Sequence, residues 1–247
     1  MSLAWFRFYE ELNEFLTPEK RKLQFPYFFS GSPTVKDAVE ALGVPHVEVD
    51  LILVNGVSVD FVFRIRNEDS VSVYPVFESL DISSLTHLRK EPLRELKFIL
   101  DVHLGKLAKY LRLCGFDTFY NKDLDDKEII RLSLSEKRII LTRDLGILKN
   151  KRVTHGYWLR SQYLTEQIKE VFRRFDLIRQ LKPFSRCMEC NGLLTDISKD
   201  EIIDRLLPKT SRYYQSFKKC NHCDHIYWEG SHYSRMKKYI DSVIENL

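Results

Sequence analysis

The fold of this chain is decided by residues 97–144, which read KFILDVHLGKLAKYLRLCGFDTFYNKDLDDKEIIRLSLSEKRIILTRD. One apolar run in this stretch ends on Asp101 and another, Ile139-Ile140-Leu141, ends on Thr142-Arg143-Asp144. Between them, two patterns of helical spacing flank a predicted strand at residues 116–120. Because strands that alternate with helices form parallel βαβ units, we predict an α/β fold with a parallel sheet.

Acidic side chains are concentrated where the predicted strands end. Asp101 and Asp144 belong to the carboxyl edge of the sheet, where ligands bind in folds of this kind. An acidic patch opens the second helix and contains Asp123, Asp125, Asp126 and Glu128. Neighbouring carboxylates repel one another unless protons or a cation neutralise them, and oxygen ligands suit Mg²⁺ or Mn²⁺. The pattern therefore indicates metal-assisted hydrolysis of phosphodiesters.

The carboxylates of this patch also have a plainer interpretation. Asp125 and Glu128 have the spacing of a capping box, and a carboxylate at a helix start is more often a cap or a solvated charge than a metal ligand. A charge that ends an apolar strand, as Asp101 and Asp144 do, needs a partner instead. The two strand-end aspartates are thus the stronger candidates for metal ligands.

Three segments of the chain, 98–101, 104–118 and 140–144, resemble the RNase domain family named after the C-terminus of the Mut-seven exonuclease. The resemblance covers residues 97–247 and implies a PIN-like nuclease core with an appended zinc ribbon. It also implies catalytic Mg²⁺ or Mn²⁺ at Asp101, Asp126 and Asp144, with Asp123 and Asp125 as further candidates. His103 departs from the family pattern, in which a small or apolar residue precedes the Leu-Gly pair.

Two basic residues are candidates for binding the phosphate of the substrate. Lys106 lies in the first turn of the predicted helix after Asp101, and Arg143 precedes Asp144. A solvated surface charge is the alternative for both. The activity that we predict is that of a metal-dependent endoribonuclease. The alternatives are a non-catalytic RNA-binding adaptor and a regulatory protein, either toxin–antitoxin-like or associated with the ribosome or tRNA, in which the N-terminal half masks the nuclease.

Four of the five cysteines form two CxxC pairs, Cys187 with Cys190 and Cys220 with Cys223. Two such pairs complete a tetrahedral site, so we predict structural zinc rather than redox dithiols. The 29 residues between the pairs, 191–219, are more than a compact ribbon has, and a helical insertion at 200–206 would occupy them. The flanking histidines, His222 and His225, are predicted to be surface residues, and Cys114 is predicted to be inert core.

An aromatic segment follows the second pair and has two interpretations. Its rings could stack on unpaired bases while basic side chains bind phosphates, or they could pack the zinc unit onto the nuclease core. The residues concerned are Tyr227, Trp228, His232, Tyr233, Arg235, Lys237 and Lys238. Packing is the preferred interpretation for Trp228, and the roles of His232 and Tyr233 stay open.

The N-terminal half has a different pattern, with two predicted strands before a helix and three after it. The strands are predicted at 3–9, 23–29, 51–54, 57–63 and 71–77, with a helix from Thr34 to Gly43 and a hairpin turn at Asn55-Gly56. Residues 53–57 and 71–75 resemble ubiquitin-like β-grasp sulfur carriers. Those carriers act through a C-terminal Gly-Gly, which is absent here, so this half is predicted to be a recognition or packing module with a possible protein partner.

Composition and charge limit the remaining possibilities. Residues 1–90 hold 9 basic and 13 acidic side chains, whereas residues 91–247 hold 30 and 22, which suits a polyanion such as RNA. No apolar run is long enough to span a membrane and no signal peptide opens the chain, so we expect a cytoplasmic protein without a membrane partner. The predicted domains are a β-grasp domain at 1–80, a linker at 81–96, the nuclease core at 97–180, and the zinc ribbon with a C-terminal helix at 181–247.

Overall fold

A computed structural model describes residues 1–75 and 96–245 of the 247. These residues form two compact units, one made of 1–75 with 142–158 and the other of 96–141 with 159–245. Residues 76–80 of the predicted β-grasp domain and all of the predicted linker except Leu96 lie outside the described residues. The predicted domain boundaries stay a prediction.

The first unit contains a five-stranded sheet and one helix. Its elements are β1 (Ser2–Phe8), β2 (Phe25–Phe29), α1 (Val35–Ala41), β3 (Val49–Val54), β4 (Val57–Ser58) and β5 (Ser70–Pro75). The strand order is β2-β1-β5-β3-β4, in which β1 and β5 pair in parallel and the other neighbours pair antiparallel. This arrangement confirms the predicted β-grasp order, with a core of apolar side chains from the sheet and from one face of α1.

Local sequence signals explain most of these boundaries. Thr34 and Asp37 form a complete capping box at the start of α1. Asn55 and Gly56 both have positive φ, as a tight hairpin turn requires. The predicted return strand at 57–63 is wrong beyond Ser58, because Asp60 accepts hydrogen bonds from Val62 N–H and Phe63 N–H and turns the chain out of the ladder. The alternating apolar residues there pack as a loop against the core.

The second unit begins with the βαβ pattern of residues 97–144. Its elements are β6 (Lys97–Leu100), α2 (Gly105–Leu113), β7 (Asp117–Phe119), α3 (Asp126–Glu136) and β8 (Ile139–Thr142), whose last residue belongs to the first unit. Within the second unit, β7, β6 and β8 pair in parallel in that order, and Leu100 lies opposite Leu141. Phe98, Ile99 and Leu100 are fully buried, so the predicted α/β fold with a parallel sheet is confirmed.

A segment that follows β8 belongs to the first unit, together with the β-grasp sheet. It contains α4 (Leu145–Leu148) and β9 (Gly156–Trp158), the latter shorter than the strand predicted from the apolar residues at 153–159. His46 Nε2 lies 2.8 Å from Val153 O, and the backbone N–H of Trp158 donates to Glu48 Oε1 at 2.6 Å. The N-terminal sheet unit therefore holds the chain on the C-terminal side of α4 through buried polar contacts.

The rest of the second unit is helical, with one small antiparallel sheet. Its elements are α5 (Leu164–Arg174), β10 (Leu194–Ile197), α6 (Pro208–Tyr213), β11 (Phe217–Cys220), β12 (Ile226–Tyr227) and α7 (Ser231–Ile244). The sheet order is β10-β11-β12. The predicted insertion between the cysteine pairs is confirmed as a 3-10 helix, Asp200–Arg205, followed by α6. The apolar face of α5 is core, as predicted, because Phe172 packs edge-on against Phe116.

Candidate functional site

Asp101 lies directly after β6 and starts a one-turn helix. Its backbone N–H donates to Leu141 O at 3.2 Å, which continues the pairing of β6 with β8, and its Oδ1 accepts from His103 N–H at 2.9 Å. The side chain is only 5% exposed. A carboxylate can accept about four hydrogen bonds or ligand bonds, so this capping bond is compatible with binding a cation as well.

Asp144 follows β8 and has the same local role. Its Oδ1 accepts from Gly146 N–H at 2.7 Å and so caps α4, while its own N–H donates to Thr142 Oγ1 at 2.8 Å. Unlike Asp101, Asp144 is exposed, as is its neighbour Arg143. Both strand-end aspartates are therefore helix caps whose geometry a neutral amide could preserve.

The acidic patch lies at the start of α3; its three aspartates are exposed and Glu128 is half-buried. Asp125 accepts from Glu128 N–H at 2.8 Å, which confirms the predicted cap. The reciprocal half of the predicted capping box is replaced by another contact, because the Glu128 carboxylate pairs with Arg131 at 2.6 Å. Asp126 occupies the first turn of the helix, and the N–H of Asp123 donates to Asn121 Oδ1 at 3.0 Å.

The predicted site residues are divided between the two units. The second unit holds Asp101, Lys106, Asp123, Asp125 and Asp126, and the first holds Arg143 and Asp144. Lys106 is exposed in the first turn of α2, as predicted. The donor set consists of oxygen atoms, which fits a hard cation such as Mg²⁺ or Mn²⁺. That these carboxylates hold one cation together stays a prediction.

The four CxxC cysteines form a cluster, as predicted. Their four sulfur atoms lie within 4.8 Å of one another, with Cys187 and Cys223 3.6 Å apart and Cys190 and Cys220 3.4 Å apart. A tetrahedral zinc with bonds of about 2.3 Å would separate its sulfur ligands by about 3.8 Å, so the cluster fits that ion. His222 and His225 are exposed and are not members of this cluster.

The backbone around the cluster is shaped for thiolates. The N–H groups of Cys190 and His222 point at the sulfur atoms of Cys187 and Cys220, at 3.5 and 3.4 Å. A Cβ at Gly192 would lie 2.8 Å from Cys220 Sγ, so only glycine fits there. Burial raises the pKa of Cys187, but hydrogen bonds from the Tyr227 hydroxyl and from backbone N–H groups outweigh it and bring the pKa to about 7. At Cys187 these contacts favour a thiolate, whereas burial raises the pKa of Cys190 to about 12.

The aromatic segment packs within the second unit. The Tyr227 hydroxyl lies 3.0 Å from Cys187 Sγ, and the ring of Tyr233 packs at 4.4 Å from that of Phe184. Trp228 packs on Tyr214 and Phe217, next to the cysteine cluster. Packing is thus the role of these three rings, whereas His232 is exposed. The basic residues of α7, Arg235, Lys237 and Lys238, are exposed as well.

Comparison with protein-family models shows to which family this chain belongs. Residues 96–240, more than half of the chain, match the model described as the Mut7-C RNAse domain. The chain belongs to the Mut7-C RNAse domain family. Residues 1–81 match a second model, the Mut7-C ubiquitin domain, which agrees with the β-grasp sheet. Comparisons with curated proteins and with solved structures give no match.

Membership of this family indicates a ribonuclease with RNA as its substrate. The parallel sheet, the N-terminal ubiquitin-like sheet and the four-cysteine cluster agree with the predicted fold class. Among the described residues, no helix is both long and apolar enough to cross a membrane.

The Mut7-C RNAse domain of this chain also contains Cys114, which was predicted to be inert core. This cysteine is 2% exposed, and burial raises its pKa to about 12.

Sequence reasoning missed a half-buried polar network in the Mut7-C RNAse domain. Asp117, at the start of β7, pairs with Arg138 at 2.6 Å and with Arg186 at 3.3 Å, and it accepts from Asn191 Nδ2 at 2.8 Å. Asn191 Oδ1 in turn accepts from Thr118 N–H at 3.0 Å. Because these partners lie up to 74 residues apart in the chain, no local spacing could reveal them. The network ties the first cysteine pair to the parallel sheet.

Replacing Asp117 by asparagine tests how much this network contributes to the stability of the protein. We expect the free energy of unfolding at pH 7 to fall by about 2 kcal/mol, because the buried Arg138 and the half-buried Arg186 both lose the Asp117 carboxylate. Arg138 keeps its ion pair with Glu136 at 2.6 Å, which limits the loss. The measurement is urea unfolding of the zinc-loaded protein. Asp196→Asn is the matched control, since Asp196 forms an ion pair with Lys218 at 3.0 Å but is 88% exposed, and we expect no measurable loss there.

The pH dependence of the stability of the same variant tests whether folding lowers the pKa of Asp117. Burial alone would raise the pKa of Asp117, but hydrogen bonds from Arg138 and Asn191 and the nearby positive charges outweigh it and lower the pKa. The stabilisation is therefore fully present above the unfolded-state pKa of about 3.9 and is lost as the pH falls through the lower folded-state pKa. The difference between wild type and variant should shrink below about pH 4; a difference that grows there would contradict the assignment.

Proposed function

We propose that this protein is a metal-dependent endoribonuclease that hydrolyses RNA phosphodiester bonds. The observation that carries the proposal is the register of the sheet: β6 and β8 are adjacent parallel strands, Leu100 lies opposite Leu141, and each strand is followed by an aspartate that caps a turn. Ligands bind at this edge of parallel sheets. The match to the Mut7-C RNAse domain supports RNA as the substrate.

Asp101, Asp126 and Asp144 would hold one or two Mg²⁺ or Mn²⁺ ions, with Asp123 and Asp125 as further candidates. A bound ion of this kind lowers the pKa of its water and stabilises charge on the phosphate oxygens. Lys106 and Arg143 would bind the phosphate, since both are exposed cations, the first in the opening turn of the helix that follows Asp101 and the second directly before Asp144. The four-cysteine cluster would hold a structural Zn²⁺, for which a reducing compartment such as the cytoplasm is suited.

A second role is proposed for the N-terminal ubiquitin-like domain. Its contacts with residues 153–158 are buried or half-buried: Glu48 is 1% exposed and accepts from Trp158 N–H, and Phe15 packs on the half-buried Trp158 ring at 5.0 Å. We propose that the domain holds the segment that follows Asp144 in place, as well as offering a surface to a protein partner. This favours support of the nuclease over masking of it.

Cleavage of labelled single-stranded RNA in Mn²⁺ tests the proposed function. We expect Asp144→Asn to cleave at least about tenfold more slowly than wild type, which corresponds to a loss of about 1.4 kcal/mol of transition-state stabilisation. Asparagine keeps an oxygen that can accept from Gly146 N–H, so α4 should stay capped. Asp196→Asn is again the control. Equal cleavage by wild type and Asp144→Asn would mean that a contaminant or another site cuts the RNA.

A further inference from the structure

Arg112 is a buried cation that connects the first cysteine pair with the parallel sheet. It lies in the last turn of α2 and is 3% exposed. Its Nη1 donates to Met188 O at 2.9 Å and to Glu189 O at 2.8 Å, the two carbonyls between Cys187 and Cys190. Its Nε donates to Thr118 O at 2.8 Å, at the centre of β7. One guanidinium thus holds the backbone of both elements.

The charge of Arg112 points to the cysteine cluster as its counterion. All of its hydrogen-bond acceptors are backbone carbonyls. Burial lowers its pKa, and the negative charges that raise it again are led by the thiolates of Cys187 and Cys190. A tetrathiolate zinc centre carries a net negative charge, because four thiolates outweigh one Zn²⁺. The loaded centre therefore stabilises the buried guanidinium, and loss of zinc or oxidation of the thiolates would weaken that stabilisation.

Two further hydrogen bonds, both through Tyr120, connect Arg112 with the turn after Asp101. Arg112 Nη2 reaches Tyr120 O at 3.5 Å, and the Tyr120 hydroxyl donates to Val102 O at 2.9 Å. A Cβ at Gly105 would lie 2.7 Å from that hydroxyl, so the tyrosine closes directly over the start of α2. Val102 is the residue after Asp101, in the turn that the Asp101 carboxylate caps. The contacts run without a break from the cysteine pair to the candidate metal ligand.

We propose that the zinc centre controls the order of the Asp101 turn through Arg112 and Tyr120, and so regulates the nuclease site according to whether zinc is bound. Arg112 and Tyr120 are positioning residues in this account, because they touch the backbone beside the ligands and neither the ligands' reacting atoms nor the substrate. The link to catalysis rests on the proposed function. The link from zinc to the turn does not, and can be measured alone.

The test combines zinc release to a chelator with hydrogen exchange of the His103 and Leu104 amides. In wild type, removal of zinc should speed exchange at both amides. Arg112→Met should release zinc about tenfold faster, as loss of an outer contact to a metal site does, and should show fast exchange even when loaded. Lys109→Met is the matched control, since Lys109 lies on the same helix and pairs with Glu189 at 2.8 Å, but in solvent, and we expect neither readout to change.

Tyr120→Phe keeps the proposal testable if Arg112→Met does not fold. It removes only the hydroxyl, so zinc release should stay at the wild-type rate while the two amides exchange about fivefold faster and respond less to zinc. Wild-type exchange in Tyr120→Phe, or wild-type zinc release in a folded Arg112→Met, would overturn the proposal. A protein that shows the coupled exchange but does not cleave RNA would instead overturn the proposed function alone.

Discussion

Cys220→Ser should release the zinc and unfold the small sheet that surrounds it. Cys220 and Cys187 are fully buried, and β10, β11 and β12 together have only ten residues to hold one another. Binding of structural zinc contributes about 10–16 kcal/mol in small zinc units, far more than so small a sheet could supply by burial. We expect zinc content to fall from about one per chain to almost none, with a large drop in thermal stability.

The measurement is metal content by mass spectrometry together with thermal unfolding. His222→Ala is the control, because His222 lies between Cys220 and Cys223 in the sequence but is exposed and outside the cluster. It should keep its zinc and its unfolding temperature. Loss of zinc in His222→Ala but not in Cys220→Ser would show that the ligand set has been assigned wrongly.

The sequence predicts features of this protein that depend on short spacings. Helical spacing within 97–144, the Thr34 capping box and the two CxxC pairs each occupy a few residues, and local physics is enough to determine them. The same holds for Asp101 and Asp144 as strand-end residues, since the end of an apolar run marks the end of a strand. These parts of the fold follow from the amino-acid sequence alone.

Features that depend on contacts between distant residues could not be predicted. Arg112 looks like one more basic residue of a helix, and its partners Met188 and Glu189 lie 76 and 77 residues away. The placement of residues 142–158 in the unit of the β-grasp sheet depends on Val153 and Trp158 meeting a domain more than 100 residues earlier. The wrong prediction of a strand at 57–63 has a local cause instead. The apolar residues there do alternate along the chain, but a hydrogen bond to Asp60 turns the chain away from the sheet.

Asp101→Asn should abolish most of the RNA cleavage while preserving the fold. Asparagine caps a helix about as well as aspartate, so the bond from His103 N–H should survive. What disappears is the negative charge of a ligand that is only 5% exposed, where a cation and its ligands interact strongly. We expect the cleavage rate to fall at least about 100-fold, which corresponds to about 3 kcal/mol of transition-state stabilisation. Unfolding by urea checks that stability is kept.

Binding of Mn²⁺ to the zinc-loaded protein, followed by the electron paramagnetic resonance signal of free Mn²⁺, tests the account most directly. We expect wild type to bind about one or two Mn²⁺ and Asp101→Asn to bind them at least about tenfold more weakly. Asp196→Asn should bind like wild type. Equal affinity in wild type and Asp101→Asn, or no binding by wild type, would contradict the claim that the strand-end aspartates form a catalytic metal site.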